Sequence, residues 1–474
     1  MRPPLAVPTL LALAALTGCT DAAGPGSSGV PLTATAAETP NPTGRQIVEF
    51  SGAAPADFAA RVGALGGSVV WSSGAAGLAA VSGLSSTTAT TLARSPGIKS
   101  LTSDMVISLE GPADQTVTDA GTAGIASQAN PAASILYPRQ WNLRAVHADQ
   151  AWAAGVLGSS SVSVYVLDTG IDYGYFDLQT LVDLGHSTDL LGTFTVNGVS
   201  FTEADTVQKY FPGRNPVADL HTHGTVVANA VSSRGIILAG VTSHTTLVGV
   251  KVCSYLNVCP LSSVLAGVIY AADNGADVIN LSLGSAFSKV GSGRFVGLVN
   301  RTFNYAQSKG TTIVVSAGND ALDMDHDRSG YVTYCNTPAV ICVGATGPTS
   351  EASVNGPWTD IDASSTFTNF GSSAVDLAAP GGNGGSFVYG GCSATSLILP
   401  VCQTGIFVVG VQGTSASAPH VAGAAAMLVA QLGRNPAAIR ARLLQSADDL
   451  GQSGTDPYYG KGRLNVARAV GAIE

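Results

Sequence analysis

From about residue 137 to its end the chain alternates short, almost unbroken runs of Val, Ile and Leu with longer helical stretches, and this alternation narrows its possible folds more than any other feature. The runs are SVSVYVLD (161–168), TTLVGVKVC (245–253), ADVINLSLG (276–284), TTIVVSAGN (311–319) and VICVGAT (340–346). Between or after them lie SSVLAGVIYAADNG (262–275), RFVGLVNRTFNYAQSKG (294–310) and SAPHVAGAAAMLVAQLG (417–433), which carry helical periodicity. Strands apolar on both faces, each followed by a helix, belong to a mostly parallel sheet covered by helices on both sides, an α/β fold. In such sheets function collects beyond the carboxyl ends of the strands. With 45% hydrophobic and 11% charged residues in 474, the chain can bury one large core and a smaller one besides.

The smaller unit is expected over 45–110. IVEF (47–50) reads as a strand, and PADFAARVGALG (55–66) as a helix with Phe58, Val62 and Leu65 on one face. GSVVWSS (67–73) and GLAAVSG (77–83) are strands, STTATTLARS (86–95) a second helix and IKSLTSD (98–104) a last strand. The order is β-α-β-β-α-β, that of a small ferredoxin-like α+β module. Residues 111–136, polar and without apolar period, read as a linker. At the start, Arg2 precedes an apolar stretch (5–16) too short to span a bilayer as a helix, the pattern of a signal peptide. Its end, LTGC (16–19), resembles a bacterial lipoprotein box, which implies a signal peptide over 1–19 and a lipidated Cys19. The Gly, Ser, Pro and Thr-rich segment 20–44 then reads as a flexible tether.

Four residues stand where chemistry is expected. Asp168 ends the strand 161–168 and is followed by Thr169 and Gly170, a sharp exit from the sheet. His223, in HTHGTVVANAV (221–231), opens a helix beside Gly224. Ser415 follows Gly413 and Thr414 after the strand GIFVVGVQ (405–412), at the first turn of a helix where free backbone N–H groups face outward. Asn319 ends the strand 311–319, where its amide can donate to a developing oxyanion. Each has a bland reading: turn cap, structural histidine, helix N-cap, turn asparagine. His221 and His223 form an H-x-H pair, but no third metal ligand is apparent. Taken together the residues run in the order Asp, His, Ser, with the amide donor before the serine, and four bland readings do not explain that order.

Here the chain closely resembles the subtilisin-like serine proteases, on VLDTGID (166–172), HGT (223–225), NLSLG (280–284), VVSAGN (314–319) and GTSASAPHVAG (413–423). The likeness spans about 137–474 as a catalytic domain, and 45–110 resembles the inhibitory propeptide of the same proteases, with 111–136 as the processing linker. It implies an exported serine endopeptidase made as a self-processing zymogen, with Asp168, His223 and Ser415 as the triad and Asn319 in the oxyanion hole. Ser282, Leu283 and Gly284 would pair with the substrate backbone, and Ala317 and Gly318 would line the pocket for the residue before the cut. The implied partners are protein or peptide substrates, the chain's own propeptide as an intramolecular inhibitor, and the membrane through Cys19 before processing. The protein would be lipid-anchored in the cell envelope, its catalytic domain released by processing. A monomer is expected. The competing class is a catalytically silent relative that binds peptides. The net charge of -9 is scattered, which argues against nucleic acid.

The departures from the family pattern concern loops and ions. Val226 replaces a second histidine that is not the base, and 181–220 reads as an insertion at the cleft rim that shapes specificity. No cofactor is required for the chemistry. Structural calcium has weak candidates: Asp177, nine residues after Asp168, in a region whose partner loop looks shortened, and the alternating Asp323, Asp325 and Asp327. The last three lack an EF-hand's Gly and closing Glu and are expected to be a solvated acidic loop. Apart from Cys19, six cysteines lie in three close pairs, Cys253 with Cys259, Cys335 with Cys342 and Cys392 with Cys402. Six cysteines allow fifteen pairings, of which the neighbour pairing is simplest.

Overall fold

The computed structural model describes residues 43–109, 114–122, 124–196, 199–284, 286–288, 292–326, 330–332 and 334–474. The signal segment and the tether as far as residue 42 therefore lie outside the described residues, as do Cys19 and Asp327.

The amino-terminal unit has six elements: β1 (Arg45–Phe50), α1 (Phe58–Ala64), β2 (Ser68–Ser73), β3 (Leu78–Ser82), α2 (Ser86–Ala93) and β4 (Ile98–Ser103). Its antiparallel sheet runs β2-β3-β1-β4. Period-2 alternation divides the side chains of β1 between two cores. Val48 and Phe50 pack with Phe58, Val62 and Leu92 inside the unit. Ile47, from the opposite face, joins Leu78, Ile107 and Leu109 in the core of the large domain. A strand buried on both faces does not stand alone, so this unit is seated on the rest of the chain.

Two strands lie in the region between the unit and the large domain. β5 (Val106–Ser108) pairs antiparallel with Val258–Pro260, and β6 (Asp114–Asp119) with Phe407–Gln412. The second was expected to be linker. Its sequence, DQTVTD, has one aliphatic residue, and it is held as a strand by backbone pairing to an existing hairpin. Gly410 opposes Thr116 in that pairing, and a Cβ on Gly410 would come 2.9 Å from the Thr116 methyl.

The large domain is built on β7 (Ser163–Asp168), β8 (Thr188–Asp189), β9 (Thr246–Lys251), β10 (Val258–Pro260), β11 (Val278–Leu281), β12 (Thr312–Ser316), β13 (Val340–Thr346), β14 (Leu377–Pro380), β15 (Val388–Gly391) and β16 (Phe407–Gln412). Seven of them form a wholly parallel sheet in the order β14-β13-β12-β11-β7-β9-β8. The helices that matter here are α3 (His223–Val231), α4 (Leu261–Asp273), α5 (Gly293–Ser308) and α6 (Thr414–Leu432). α6 is buried from Thr414 to Val429, and its run of alanines lets the backbone come close to the sheet. The chain leaves β7 for β9 on one side and returns to β11 on the other. β7 is thus the point where strand order reverses, and Asp168 is its last residue.

The insertion 181–220 contributes β8 to the sheet edge, then the hairpin Thr193–Val196 with Val199–Thr202 and the helix Glu203–Tyr210. It is tied down by charge. Lys251 Nζ donates to Glu203 Oε2 at 3.0 Å and to the Ala218 carbonyl at 2.7 Å, and both charged side chains are fully buried. Lys251 lies in register with Asp168 across β9 and β7.

Candidate active site

The site forms where three strand ends and two helix starts converge. His223 is the first residue of α3, and its Nδ1 faces both carboxylate oxygens of Asp168, at 2.8 and 3.0 Å. Asp168 Oδ1 also accepts the N–H of Thr169 at 2.7 Å. Asp168 is fully buried and His223 is 8% exposed, so the pair is shielded from solvent and its attraction little screened. Gly224 makes the approach possible, because a Cβ there would meet the Gly170 carbonyl at 2.1 Å.

Asp219 caps α3. Its Oδ1 accepts the N–H groups of His221 and Thr222, each at 2.9 Å, and the Thr169 hydroxyl at 2.9 Å. Its Oδ2 accepts the N–H and hydroxyl of Thr225 at 2.9 and 2.6 Å. A carboxylate at a helix start satisfies orphan donors and meets the positive helix end. It also holds Thr222 at φ 121°, a conformation L residues rarely adopt. Sequence reasoning passed over Asp219, which stands three residues before the N-cap position Thr222 and so outside the ordinary capping pattern.

Ser415 sits in the first turn of α6, and its Oγ donates to the Ser282 carbonyl at 3.2 Å. The contact is reciprocal, for Ser282 Oγ donates to the Ser415 carbonyl at 2.9 Å. That carbonyl would ordinarily accept the N–H of residue 419, but residue 419 is proline. Pro419 therefore stands in the second turn of the helix, and Ser282 supplies the missing donor.

Asn319 is held by Thr414. Its Oδ1 accepts the Thr414 N–H at 2.8 Å and the Thr414 hydroxyl at 2.9 Å, and Thr414 Oγ1 accepts the Gly318 N–H at 3.0 Å. With the oxygen engaged, the amide nitrogen is turned to the other side, 3.3 Å from where a Cβ on Gly413 would stand. Asn369 supports the same turn: its Nδ2 donates to the Ala317 carbonyl at 2.9 Å, and its Oδ1 accepts from Asp320 and Leu322 at 3.0 and 2.8 Å. Neither Thr414 nor Asn369 was singled out from sequence. The first lies within the serine motif, and nothing local marks the second.

His223 and Ser415 line one cavity with Val226, Val227, Val411, Gln412, Gly413 and Ala416. Ser282 touches Ser415, whereas Leu283, Gly284, Ala317 and Gly318 are not among the residues lining that cavity. The H-x-H pair does not converge on a common point. His221 Nδ1 accepts the His223 N–H at 3.3 Å, while His223 Nδ1 faces Asp168, and burial pushes the His221 imidazole below its ordinary pKa.

The calcium candidates are placed as follows. Asp177 is fully buried, and its carboxylate accepts three consecutive backbone N–H groups, from Ile236, Ile237 and Leu238, at 2.7 to 2.9 Å. Asp323 accepts from Asp325 N, His326 N and His326 Nδ1, and Asp325 from Ser372 and Ser373. Among the described residues no three His, Cys, Asp or Glu side chains cluster in a way that could hold a metal ion. The neighbouring cysteines are joined as Cys253–Cys259, Cys335–Cys342 and Cys392–Cys402.

Comparison with known proteins agrees with this geometry. The Subtilase family (peptidase S8) matches residues 159–462. The chain is 31% identical over 334 residues to a thermophilic serine proteinase of Bacillus sp. (strain AK1), covering 70% of this chain and 67% of the relative. It is 30% identical over 332 residues to thermitase of Thermoactinomyces vulgaris, covering 70% and 96%. Among solved structures, the epidermin leader peptide processing serine protease EpiP of Staphylococcus aureus superposes with a TM-score of 0.68 at 21% identity, covering 90% of this chain and 97% of that one. Family match, sequence relatives and fold agree, and the chain belongs to the Subtilase family of serine proteases.

Proposed function

We propose that this protein is an exported serine endopeptidase that works through Asp168, His223 and Ser415 and is made as a self-processing zymogen. The observation that carries the reading is His223 held by both oxygens of a buried Asp168 while it shares a cavity with Ser415. In the proposed mechanism the Ser415 hydroxyl leaves the Ser282 carbonyl and turns to His223. Its oxygen attacks the peptide carbonyl as His223 Nε2 takes the proton. Asp168 accepts the Nδ1–H, fixes that tautomer and stabilises the imidazolium. The oxyanion is met by the Ser415 N–H and the Asn319 amide, His223 returns the proton to the leaving amine, and water then releases the acyl group by the same route.

Zymogen processing is supported by the course of the chain. Leaving the amino-terminal unit, β5 runs along β10 with Ile107 and Leu109 buried, and β6 begins opposite Gln412, which lines the cavity of His223 and Ser415. The chain that follows the amino-terminal unit thus runs beside a residue that lines this cavity. Self-cleavage is expected between about residues 111 and 139. Lipidation of Cys19 would leave the anchor on the amino-terminal side of that cut. Casein hydrolysis by the wild type, abolished by phenylmethylsulfonyl fluoride and by Ser415→Ala, is the expected result. Hydrolysis by the alanine variant overturns the mechanism.

A further inference from the structure

The side chain of Arg45 belongs to the amino-terminal unit, yet its guanidinium is fully buried against the large domain. Nη1 donates to Ser263 Oγ at 2.9 Å and, more weakly, to Ser262 Oγ at 3.4 Å. Nη2 donates to the Thr193 carbonyl at 2.9 Å and to the Leu191 carbonyl. The two serines open α4, and the two carbonyls belong to the insertion 181–220, where Gly192, at φ 57°, turns the backbone between them. Next to this contact, Asp104 of the same unit accepts the Ser262 N–H at 2.9 Å and the Ser262 hydroxyl at 2.6 Å, and so caps α4. Behind it, Asp189 Oδ1 accepts the Leu191 N–H at 2.8 Å, while its buried Oδ2 has no hydrogen-bond partner.

The other polar links between the two units are of another kind. Arg301 pairs with Glu49 at 2.7 Å and its Nε meets the Ala76 carbonyl at 2.9 Å, but its side chain is 36% exposed. Glu49 is 16% exposed, and a pair so reached by solvent adds less and tolerates substitution better than a fully buried one. The Arg45 contact is fully buried. A planar fork reaches four diverging oxygens, which an ammonium on a flexible stem does not match. Facing a shorter or apolar side chain, the buried Leu191 carbonyl and the two buried serine hydroxyls would lose this donor, while the carbonyl of the exposed Thr193 could turn to water.

We propose that the insertion and the first turn of α4 form a guanidinium socket whose ligand is Arg45, and that this socket determines whether the amino-terminal unit stays bound once the chain is cut. The inference rests on the reading of 45–110 as a detachable inhibitory unit. It gives the insertion a different role from the cleft specificity expected from sequence: a receptor for the chain's own first domain. Separated, the guanidinium and its acceptors are all hydrated. Joined, Nη1 and Nη2 meet the four oxygens while the buried Nε has no hydrogen-bond partner, so the socket selects for a first domain that carries the two-pronged end of the fork.

The test uses the full chain. Wild type, Arg45→Lys, Arg45→Met and Ser263→Ala are allowed to process themselves and are then run on size exclusion at low micromolar concentration. The amino-terminal fragment is expected to stay with the wild-type protease. Arg45→Met should weaken retention by tenfold or more, Arg45→Lys by nearly as much and Ser263→Ala by a few-fold, with free activity rising in the same order. Glu49→Gln, at the partly buried pair with Arg301, should change retention less than threefold. In a second arm, Arg45→Met is combined with Ser415→Ala, and amide exchange at Ile47 and Val48 is followed in the uncut chain, where faster exchange than in Ser415→Ala alone is expected. If the wild type is not cut, the zymogen reading fails while the exchange arm still decides the socket. Retention and exchange unchanged in Arg45→Met overturn the proposal. Should that variant not accumulate, unchanged retention in Ser263→Ala overturns it equally.

Discussion

Thr414 shows how much a residue beside the nucleophile can carry. Its hydroxyl and N–H both hold Asn319 Oδ1, and the same hydroxyl accepts from Gly318, so one side chain sets the direction of the proposed oxyanion donor. Asn319→Ala is expected to lower kcat by about 10²- to 10³-fold, a magnitude carried over from the corresponding donor of subtilisin itself. Thr414→Val keeps the volume and the N–H but loses the hydroxyl. It should lower kcat about tenfold with KM changed less than twofold, and Thr414→Ser should restore most of the rate; a change confined to KM would show that Thr414 does not act through Asn319. At this scale the sequence was legible in position: Asp168 ends a strand and His223 and Ser415 stand at helix starts, as their flanking residues imply, while Asn319 lies three residues past the end of β12. Thr414, Asn369 and Asp219 act through other residues, and nothing in their own neighbourhood names the group they hold. Pro419 acts at a distance in a related way: its effect is felt four residues earlier, at the Ser415 carbonyl, and is answered by Ser282 from another element.

Elements reveal the same division between local and distant causes. The buried strands and long helices were recognisable because apolar periodicity is a property of the segment itself. β6 was not, because its pairing depends on β16, almost three hundred residues away. Two elements are fastened by buried titrating groups of opposite sign. Burial pushes Asp177 up to about 6, against the pull of three backbone N–H groups, while burial takes His420, in α6, down to about 4. Asp177 is raised above its unfolded value near 3.9, so its contribution is full below that pH and is lost as pH rises through about 6. His420 is lowered from about 6.5, so its contribution is full above that pH and is lost as pH falls through about 4. Each effect is on the order of 3 kcal/mol. Melting curves from pH 4 to 7 should therefore show stability falling more steeply with rising pH in His420→Asn than in the wild type, and rising more steeply in Asp177→Asn. Equal slopes in all three would remove both assignments. Since Asp177 spends its oxygens on backbone N–H groups, EDTA should leave the wild-type midpoint unchanged; a fall of several degrees would place a cation elsewhere in the chain.

For the whole molecule, the arrangement of parts sets where the catalytic domain ends up. The proposed anchor at Cys19 and the amino-terminal unit both precede the proposed cut, so processing would break the covalent link between lipid and protease and leave only the Arg45 contact and its neighbours to hold them together. In cells expressing Arg45→Met, where the cut amino-terminal unit lets go, the catalytic domain is expected in the soluble fraction, and in Ser415→Ala it is expected in the membrane fraction. Equal membrane retention of both counts against self-release. The sequence suggested two units and a joining segment, but not how closely residues 45–110 pack on the rest, because Arg45 and Asp104 look like ordinary surface charges until α4 and the insertion are brought against them. The buried pair of Lys251 and Glu203 has a consequence of another kind. Trimming the insertion to make a smaller protease would remove Glu203 and leave a lone ammonium in the core, level with Asp168; unpaired buried charges of this sort cost about 3 to 5 kcal/mol. Losing Lys251 first would strand the carboxylate instead. Each partner now protects the other from deletion, so in the descent of this chain the insertion became hard to discard from the moment its glutamate met the lysine, whatever first favoured it.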